Sequence, residues 1–305
     1  MSIKENVFGS GSERLIYKAL REKWGKSFNL YHNLPFLNVF SCKDKDFIDF
    51  AKGYAICKIS TEQFQQLKSL SIDFVFCDKT DKPVLCIEFD GLQDGFNIGS
   101  SYQSNKDKGS RKSRKDLLDL KLKIAHGFGM PFFVMSSAHF KSLSNVANIA
   151  IVDAVIGEIF ANDYRTIRLN SFNTKQLGYS EAEFAELSQI EQDSLIENWL
   201  LEVEVSADYE KNPVFKEVAR LSKELNVTSC SFGYLNSDNE EDRALWSQVS
   251  CEISTAYGSA QAEFKMPNFN SPGMCVSAHL AQGISELLAL SLIKSGKKKN
   301  KILNK

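Results

Sequence analysis

The amino-acid sequence predicts an α/β fold in the first half of the chain and an α+β arrangement in the second half. Residues 71–91 contain two apolar, β-branched and aromatic runs on either side of a polar turn at 78–82, a pattern typical of a β-hairpin. Residues 116–128 have helical periodicity and precede a short apolar strand at 130–135. After residue 145, helical and strand patterns are intermixed, which favours an α+β region.

The first predicted element is a helix that follows Ser12, a residue type suited to the N-cap position. Ile16, Leu20 and Trp24 recur with helical spacing and predict its buried side. Glu13 lies three residues before Ile16, so we expect its carboxylate on the apolar side of the helix. The alternative is that an acid in the first turn merely complements the helix dipole.

The predicted hairpin carries three carboxylates, those of Asp73, Glu88 and Asp90. If the turn centres between Thr80 and Asp81, Asp73 lies directly opposite Glu88, and Asp90 shares their face because strand side chains alternate. Like charges opposite one another destabilise a sheet, so three acids at this position favour a bound cation. Oxygen ligands of this kind suit Mg²⁺ or Mn²⁺.

A solvated group of acids without a function is the alternative interpretation of the same residues. Acids at the ends of strands are common, and they need no cation when water surrounds them. A slip of one residue in the turn would also move Asp73 to the opposite face from Glu88. The metal-site hypothesis therefore depends on the register of the hairpin.

A basic segment follows the hairpin at residues 97–115 (NIGSSYQSNKDKGSRKSRK), and we expect it to be a loop. Its cations are candidate contacts for the phosphates of a nucleic acid, which position a substrate without selecting its sequence. The candidate nucleic-acid-binding residues are Lys106, Lys108, Arg111, Lys112, Arg114 and Lys115.

Lys121 lies in the apolar stripe of the helix predicted at 116–128. Leu117, Ile124 and Ala125 are its neighbours at helical spacing. A lysine in that position must either extend its amine to the surface or meet an anion. The three carboxylates of the hairpin are the obvious partner.

The order of these features resembles the PD-(D/E)XK restriction-endonuclease-like superfamily, and more closely its very-short-patch-repair-like branch and the uncharacterised bacterial relatives of that branch. Four features occur in order between about residues 10 and 135: a helix with an acid, a hairpin ending in Glu-x-Asp-Gly, a helix with a lysine, and Gly-x-Pro before a strand. The resemblance implies a mixed central sheet flanked by helices, a restriction-endonuclease-like core.

The resemblance also implies roles for individual residues. Asp73 and Glu88 would be metal ligands, and Glu13 would be the supporting acid of the first helix. From its place on the hairpin, Asp90 either adds a third ligand or hydrogen-bonds Lys121. Asp90 stands where the family usually has a lysine, and Lys121 would supply that positive charge from the later helix. Relatives often have a histidine three residues after the Asp-Gly pair, and this chain has none there, which puts proton transfer in question.

The function expected from these features is that of a Mg²⁺- or Mn²⁺-dependent endonuclease acting on nucleic acid, with DNA favoured over RNA. One alternative is a nuclease-fold module that binds nucleic acid and cleaves it weakly or not at all. Another is a component of a larger assembly, held through the second half of the chain. The sequence leaves the oligomeric state open.

Bulk composition limits the class of protein. A formal net charge of −1 excludes a chain coated in positive charge, but it does not exclude localised basic segments. No apolar run is long enough to span a bilayer, and the first residues lack the apolar core of a signal peptide. The 7 cysteines form no C-x-x-C pair, and the 4 histidines are too scattered for a zinc site. We therefore expect a cytoplasmic protein with no membrane partner.

A chain of 305 residues can form two domains or one elaborated domain. We expect two, an endonuclease-like domain at 1–165 and an accessory α+β domain at 166–305 that could bind a protein partner. The basic tail at 296–305 (GKKKNKILNK) is expected to be disordered, and it either strengthens phosphate contact or serves solubility.

Four helices are among the remaining predicted elements, at 145–160, from a capping box of Ser180 and Glu183, from Asn212 and Pro213, and at 274–294. The others are a connection with some strand character at 163–177 and strands at 202–207, 228–235 and 249–266, the last as one strand or as a hairpin around Gly258-Ser259. We find no group of chemically active residues in this half of the sequence.

Overall fold

The structure is a computed structural model. It describes residues 8, 11–41, 47–48, 57–90, 93–96, 102–104, 108–136, 146–234, 246–267, 270–271, 274–275 and 277–303. Among these residues, no helix combines the length and the apolar character needed to cross a membrane.

The chain is mixed α/β. The elements of its first part are α1 (Gly11–Trp24), β1 (Asn29–Pro35), α2 (Phe36–Val39), β2 (Phe47–Ile48), β3 (Cys57–Lys58), α3 (Thr61–Lys68), β4 (Ser71–Cys77), β5 (Pro83–Asp90), β6 (Gln93–Phe96), β7 (Tyr102–Ser104), α4 (Lys108–Gly127) and β8 (Phe132–Ser136). Those of its second part are α5 (Val146–Asn170), a 3₁₀ turn (Thr174–Leu177), α6 (Glu181–Glu186), α7 (Gln189–Lys211), α8 (Pro213–Leu225), β9 (Val227–Tyr234), β10 (Trp246–Thr255), β11 (Gly258–Pro267), β12 (Asn270–Ser271), β13 (Met274–Cys275) and α9 (Ser277–Leu303).

A four-stranded mixed sheet in the order β1-β4-β5-β8 forms the centre of the first part. β4 pairs antiparallel with both β1 and β5, whereas β5 and β8 run parallel. Parallel neighbours need a crossover connection, and α4 lies on the chain between these two strands. A separate antiparallel sheet has the order β11-β10-β9.

The hairpin of β4 and β5 has the predicted register over its described pairs. Phe74 is opposite Ile87 and Phe76 is opposite Leu85, and the pairing shifts by one residue only at Cys77. Asp78 organises the turn, because its Oδ1 accepts hydrogen bonds from the backbone N–H groups of residues 80 and 82, at 2.8 Å and 3.0 Å. This is the local bonding that makes aspartate common in turns.

Helices contribute apolar contacts on both faces of the central sheet. Val75, Cys86 and Phe132 belong to a buried cluster that includes Ile124 and Ala125 of α4. Strand side chains alternate, so the neighbours of these residues point to the other face. There Tyr17 of α1 packs against Phe74 at 6.2 Å between ring centroids, and Phe28 packs against Phe76 at the same distance.

Two predictions for the first part need correction. α4 begins at Lys108, so the basic segment from that residue onward lies in a helix rather than in the predicted loop. This applies to Lys108, Arg111, Lys112, Arg114 and Lys115. Lys106 lies outside the described residues. Lysine and arginine are good helix formers, and their propensity outweighs that of the intervening glycine and serines. α1 begins at Gly11, so Ser12 lies within the helix and does not precede it.

Contacts divide the chain into two compact units. One contains residues 1–149, 232–250 and 263–282, and the other contains the remaining residues. The boundary expected from the sequence, between residues 165 and 166, lies inside α5. The domain organisation at 1–165 and 166–305 stays a prediction.

The second part confirms the helix starts predicted from Ser180 and Asn212, whereas the last helix begins at Ser277, three residues after its predicted start. Ser180 and Glu183 form the capping box of α6, and Asn212 caps α8 through the N–H of Val214 at 3.1 Å. The break at Leu187 and a second capping box, of Ser188 and Glu191, were not predicted.

Three predictions for this part are wrong. α5 continues to Asn170 where a connection with strand character was expected, and residues 202–207 belong to α7. Alternating apolar residues over six positions also suit a helix, and here Val203 and Ala207 are buried at helical spacing. α9 runs through Gly296 to Leu303, so the backbone of most of the tail is helical.

An ion-pair cluster that the sequence did not reveal joins α5 to α7. The guanidinium of Arg165 lies 2.7 Å from Glu158, 2.6 Å from Glu204 and 2.7 Å from Asp208. Arg165 is 8% exposed and Glu158 is 3% exposed. Because buried charges are costly unless paired, this cluster has a structural role.

Candidate active site

Asp73 and Glu88 meet on one face of the hairpin. Asp73 directly precedes Phe74, which pairs with Ile87, so the same register places Asp73 opposite Glu88. The Oδ2 atom of Asp73 accepts a hydrogen bond from the backbone N–H of Phe89 at 2.7 Å, which directs its carboxylate across to β5. Asp73 is close enough to Glu88 for its negative charge to raise the pKa of the Glu88 carboxyl.

Lys121 brings a positive charge to these carboxylates from α4. Its Nζ donates hydrogen bonds to Oε1 of Glu88 and to the backbone carbonyl of Ser71, the latter at 2.9 Å. Lys121 is 6% exposed and Glu88 is 8% exposed. The lysine predicted to face inward therefore has an anionic partner, and it contacts both strands of the hairpin.

The electrostatic environment of Glu88 is unfavourable for its charge. Burial raises the pKa of the Glu88 carboxyl to about 8, and the charge of Asp73 contributes to the increase, whereas Lys121 acts in the opposite direction. A carboxyl group with a pKa raised in this way gains more from a nearby cation than a solvated one. One ammonium group therefore compensates the two acids only in part.

Asp90 lies in β5, where its backbone pairs with that of Ser136. Its side chain is outside the described part of the structure. Its role as a third ligand thus stays a prediction.

Glu13 pairs with a histidine that the sequence had not singled out. Its Oε1 atom is 2.5 Å from Nε2 of His32 in β1, and Glu13 is 6% exposed. His32 is opposite Phe74, and the rings of Phe8 and Tyr17 also pack against it. Because neighbouring strand residues face opposite ways, the His32 ring lies on the other face of the sheet from Asp73.

No sequence motif marks this pair, since Glu13 and His32 are 19 positions apart. The contact could have been predicted only by recognising that β1 pairs with β4, which places His32 opposite Phe74. The role of Glu13 as a supporting acid of the metal site stays a prediction.

Five of the six basic residues expected to contact phosphate lie on the same helix as Lys121. Lys115 and Lys121 are six positions apart, which is about 9 Å along a helix. The side chains at 108–115 are outside the described part of the structure, and so is Lys106 altogether. Contact between these residues and a nucleic acid stays a prediction.

The described side chains contain no group of three or more His, Cys, Asp or Glu residues placed to hold a metal ion. Asp73 and Glu88 supply two carboxylates, and the side chain of Asp90 lies outside the described part of the structure. Mg²⁺ is commonly held by one or two carboxylates and completes its shell with water. The raised pKa of Glu88 beside Asp73 is a further reason why a hard divalent cation fits here.

Comparison with known proteins identifies no relative. No family model matches the chain, and no curated protein or solved structure has significant similarity to it. Function is therefore inferred from the chemistry of Asp73, Glu88 and Lys121.

Proposed function

We propose that the chain is a metal-dependent nuclease that hydrolyses phosphodiester bonds of nucleic acid, with DNA as the favoured substrate. The observation that carries this proposal is the meeting of Asp73, Glu88 and Lys121 on one face of the central sheet. Two neighbouring carboxylates beside a buried amine form a charge arrangement suited to a divalent cation and a phosphate.

The order of the structural elements supports the proposal. A helix with Glu13 precedes the hairpin of β4 and β5, and α4 with Lys121 then leads to β8, which is parallel to β5. This order, with a mixed sheet between helices, is what the resemblance to the PD-(D/E)XK superfamily implies.

Each residue has a distinct proposed role. Asp73 and Glu88 would hold Mg²⁺ or Mn²⁺, and such a cation would polarise the phosphodiester and lower the pKa of the attacking water. The N–H of Phe89 keeps the Asp73 carboxylate in position. Lys121, anchored by the carbonyl of Ser71, stabilises negative charge that develops on the phosphoryl group. Asp90 either adds a ligand or orients Lys121.

The helical segment from Lys108 to Lys115 supplies the substrate contacts in this proposal. Its five cations precede Lys121 on the same helix. A phosphate backbone bound by that segment would therefore lie near the carboxylates of Asp73 and Glu88. Such contacts position the substrate and contribute no sequence preference.

The test is incubation of purified protein with supercoiled plasmid, single-stranded DNA and RNA in the presence of Mg²⁺, Mn²⁺ or EDTA. We expect nicking with either metal and none with EDTA. The same preparation of an Asp73→Asn variant controls for a contaminating nuclease. Absence of metal-dependent cleavage on every substrate would overturn the proposal.

A module that binds nucleic acid without cutting it is the second candidate. The ion pair between Lys121 and Glu88 favours it, because an ammonium group already occupies one carboxylate that a metal would need. Binding in a gel-shift titration, without cleavage across the range of Mg²⁺ and Mn²⁺ concentrations, would support this function over the nuclease.

A further inference from the structure

Cys230 and Cys251 lie next to each other on neighbouring strands of the second sheet. Cys230 is in β9 and Cys251 is in β10, and their Sγ atoms are 3.8 Å apart in a thiol–thiol hydrogen bond. A disulfide has an S–S length of about 2.05 Å, so closure requires a shift of less than 2 Å between the two sulfur atoms. Both cysteines are free thiols in the structure.

The two thiols differ in their access to solvent. Cys230 is exposed on β9, which is an edge strand, while Cys251 is 0% exposed. Cys77 and Cys86 of the first sheet are by contrast both buried. Cys230 is therefore the member of the pair that can react with a reagent from solution, and the buried Sγ of Cys251 lies 3.8 Å from its Sγ.

We propose that Cys230 and Cys251 form a thiol–disulfide exchange site that takes a low-molecular-weight disulfide as its oxidant. This inference does not depend on the nuclease proposal, because it concerns a different sheet and a different chemistry. The product is a covalent bond that joins the edge strand β9 to β10 across 21 positions of the chain.

The reaction occurs in two exchanges. The Cys230 thiol loses its proton to solvent, and its sulfur attacks one sulfur of the small disulfide, which releases the other half as a thiolate. Cys251 then loses its proton and attacks Sγ of Cys230 in this mixed disulfide. That step forms the Cys230–Cys251 bond and releases the second half of the reagent as a thiolate. The protein loses two electrons and two protons, and the small disulfide gains the two electrons.

The surroundings of the pair make the site slow to react at neutral pH. Burial raises the pKa of the Cys230 thiol, and the carboxylate of Glu286 in α9 raises it further. The pKa of Cys251 is raised by burial, by Cys230 and by Glu286. Since thiolates are the attacking species, a raised pKa lowers the thiolate fraction of both cysteines at neutral pH.

The experiment uses the full chain, fully reduced, with glutathione disulfide as the probe. After timed incubation, the free thiols are alkylated and the protein is digested without reductant for peptide mass spectrometry. We expect the thiol count to fall from 7 to 5 in the main product, with Cys230 linked to Cys251 and no glutathione retained. The thermal unfolding midpoint of this product should exceed that of the reduced protein.

Two variants make the result decisive. Cys230→Ser changes an exposed side chain, and it should lose both the bridge and the increase in the unfolding midpoint. Cys251→Ala should accumulate a stable glutathione adduct on Cys230, because the resolving thiol is missing; Cys251→Ser serves if the alanine variant fails to fold. The proposal is overturned if the native chain keeps glutathione on Cys230 while Cys251 stays reduced, or if Cys230 never reacts.

Discussion

Lys121 of α4 donates a hydrogen bond to the side chain of Glu88 in β5. Because its amine also binds the carbonyl of Ser71 at the start of β4, one ammonium group connects the helix to both strands of the hairpin. The same contact places a cation beside the carboxylates of Asp73 and Glu88. The pair therefore affects both the stability of the sheet and the charge of the candidate site.

Removing the amine of Lys121 should destabilise the fold. Lys121→Met removes the cation beside the buried Glu88 carboxyl, and above the Glu88 pKa of about 8, where that carboxyl is ionised, breaking a buried pair from one side costs about 3–5 kcal/mol. Urea unfolding measures the loss. Lys123→Met on the same helix is the matched control, since Lys123 is only partly buried. Equal unfolding free energies for the two variants would contradict a stabilising role for the pair.

Stability should depend on pH through Glu88. Its folded pKa of about 8 exceeds its ordinary value of 4.5, so between these values the folded state retains a proton that the unfolded state has released. The free energy of unfolding contributed by this group is therefore greatest below pH 4.5 and falls as the pH rises toward 8. Urea unfolding in EDTA should show this decrease in the native chain, and Glu88→Gln should show a flatter profile. If the stability of the native chain and of Glu88→Gln changed with pH in parallel, Glu88 would not be the group responsible for the decrease.

Asp73→Asn should reduce metal-dependent cleavage by at least about 100-fold, because it removes one anionic oxygen while keeping the size of the side chain. The amide oxygen of asparagine can still accept from the N–H of Phe89, so circular dichroism should be unchanged. Asp116→Asn, at an exposed position of α4, is the control and should cleave normally. A folded Asp73→Asn protein with the native rate would remove Asp73 from the site.

The buried ion pairs of Arg165 should contribute far more to the free energy of unfolding than the exposed ion pairs of Arg220. Arg165→Met leaves the buried carboxylate of Glu158 without that partner and should lower the unfolding free energy by about 3–5 kcal/mol. Arg220→Met removes ion pairs to Glu217 and Glu224 that are exposed and screened by solvent, so its effect should be slight. Comparable losses in the two variants would show that burial is not the deciding factor.

Two glycine substitutions should have opposite effects. In Gly157→Ala the new Cβ would lie 2.6 Å from Cγ of Asn212, a fully buried residue that also binds the carbonyl of Ala154. Such overpacking typically costs about 1–3 kcal/mol. Gly296→Ala in α9 meets no atom within 4 Å and should stabilise the chain by about 0.5–1 kcal/mol through helix propensity. Thermal unfolding should show a lower midpoint for Gly157→Ala and a higher midpoint for Gly296→Ala than for the native chain. Destabilisation by Gly296→Ala would contradict a helix at that position.

Local chemistry made several features predictable. The hairpin register follows from alternation and from the turn at Asp78, and the starts of α6 and α8 follow from Ser180 and Asn212, whose side chains bond to backbone only a few residues away. The inward direction of Lys121 followed from its apolar neighbours at helical spacing. The errors at 163–177 and 202–207 came from short segments, in which helix and strand periods cannot be distinguished.

The sequence alone determined the β-hairpin and, for a turn centred between Thr80 and Asp81, predicted Asp73 opposite Glu88, because alternation and turn chemistry act over a few residues. Only the tertiary structure decided which distant groups would meet. Glu88 and Lys121 are 33 positions apart, and Arg165 and Asp208 are 43 apart. Burial decides such pairs, since a charge removed from water needs a partner from whatever element packs against it. For the same reason Glu13 lies beside His32, a contact that no spacing in the sequence could indicate.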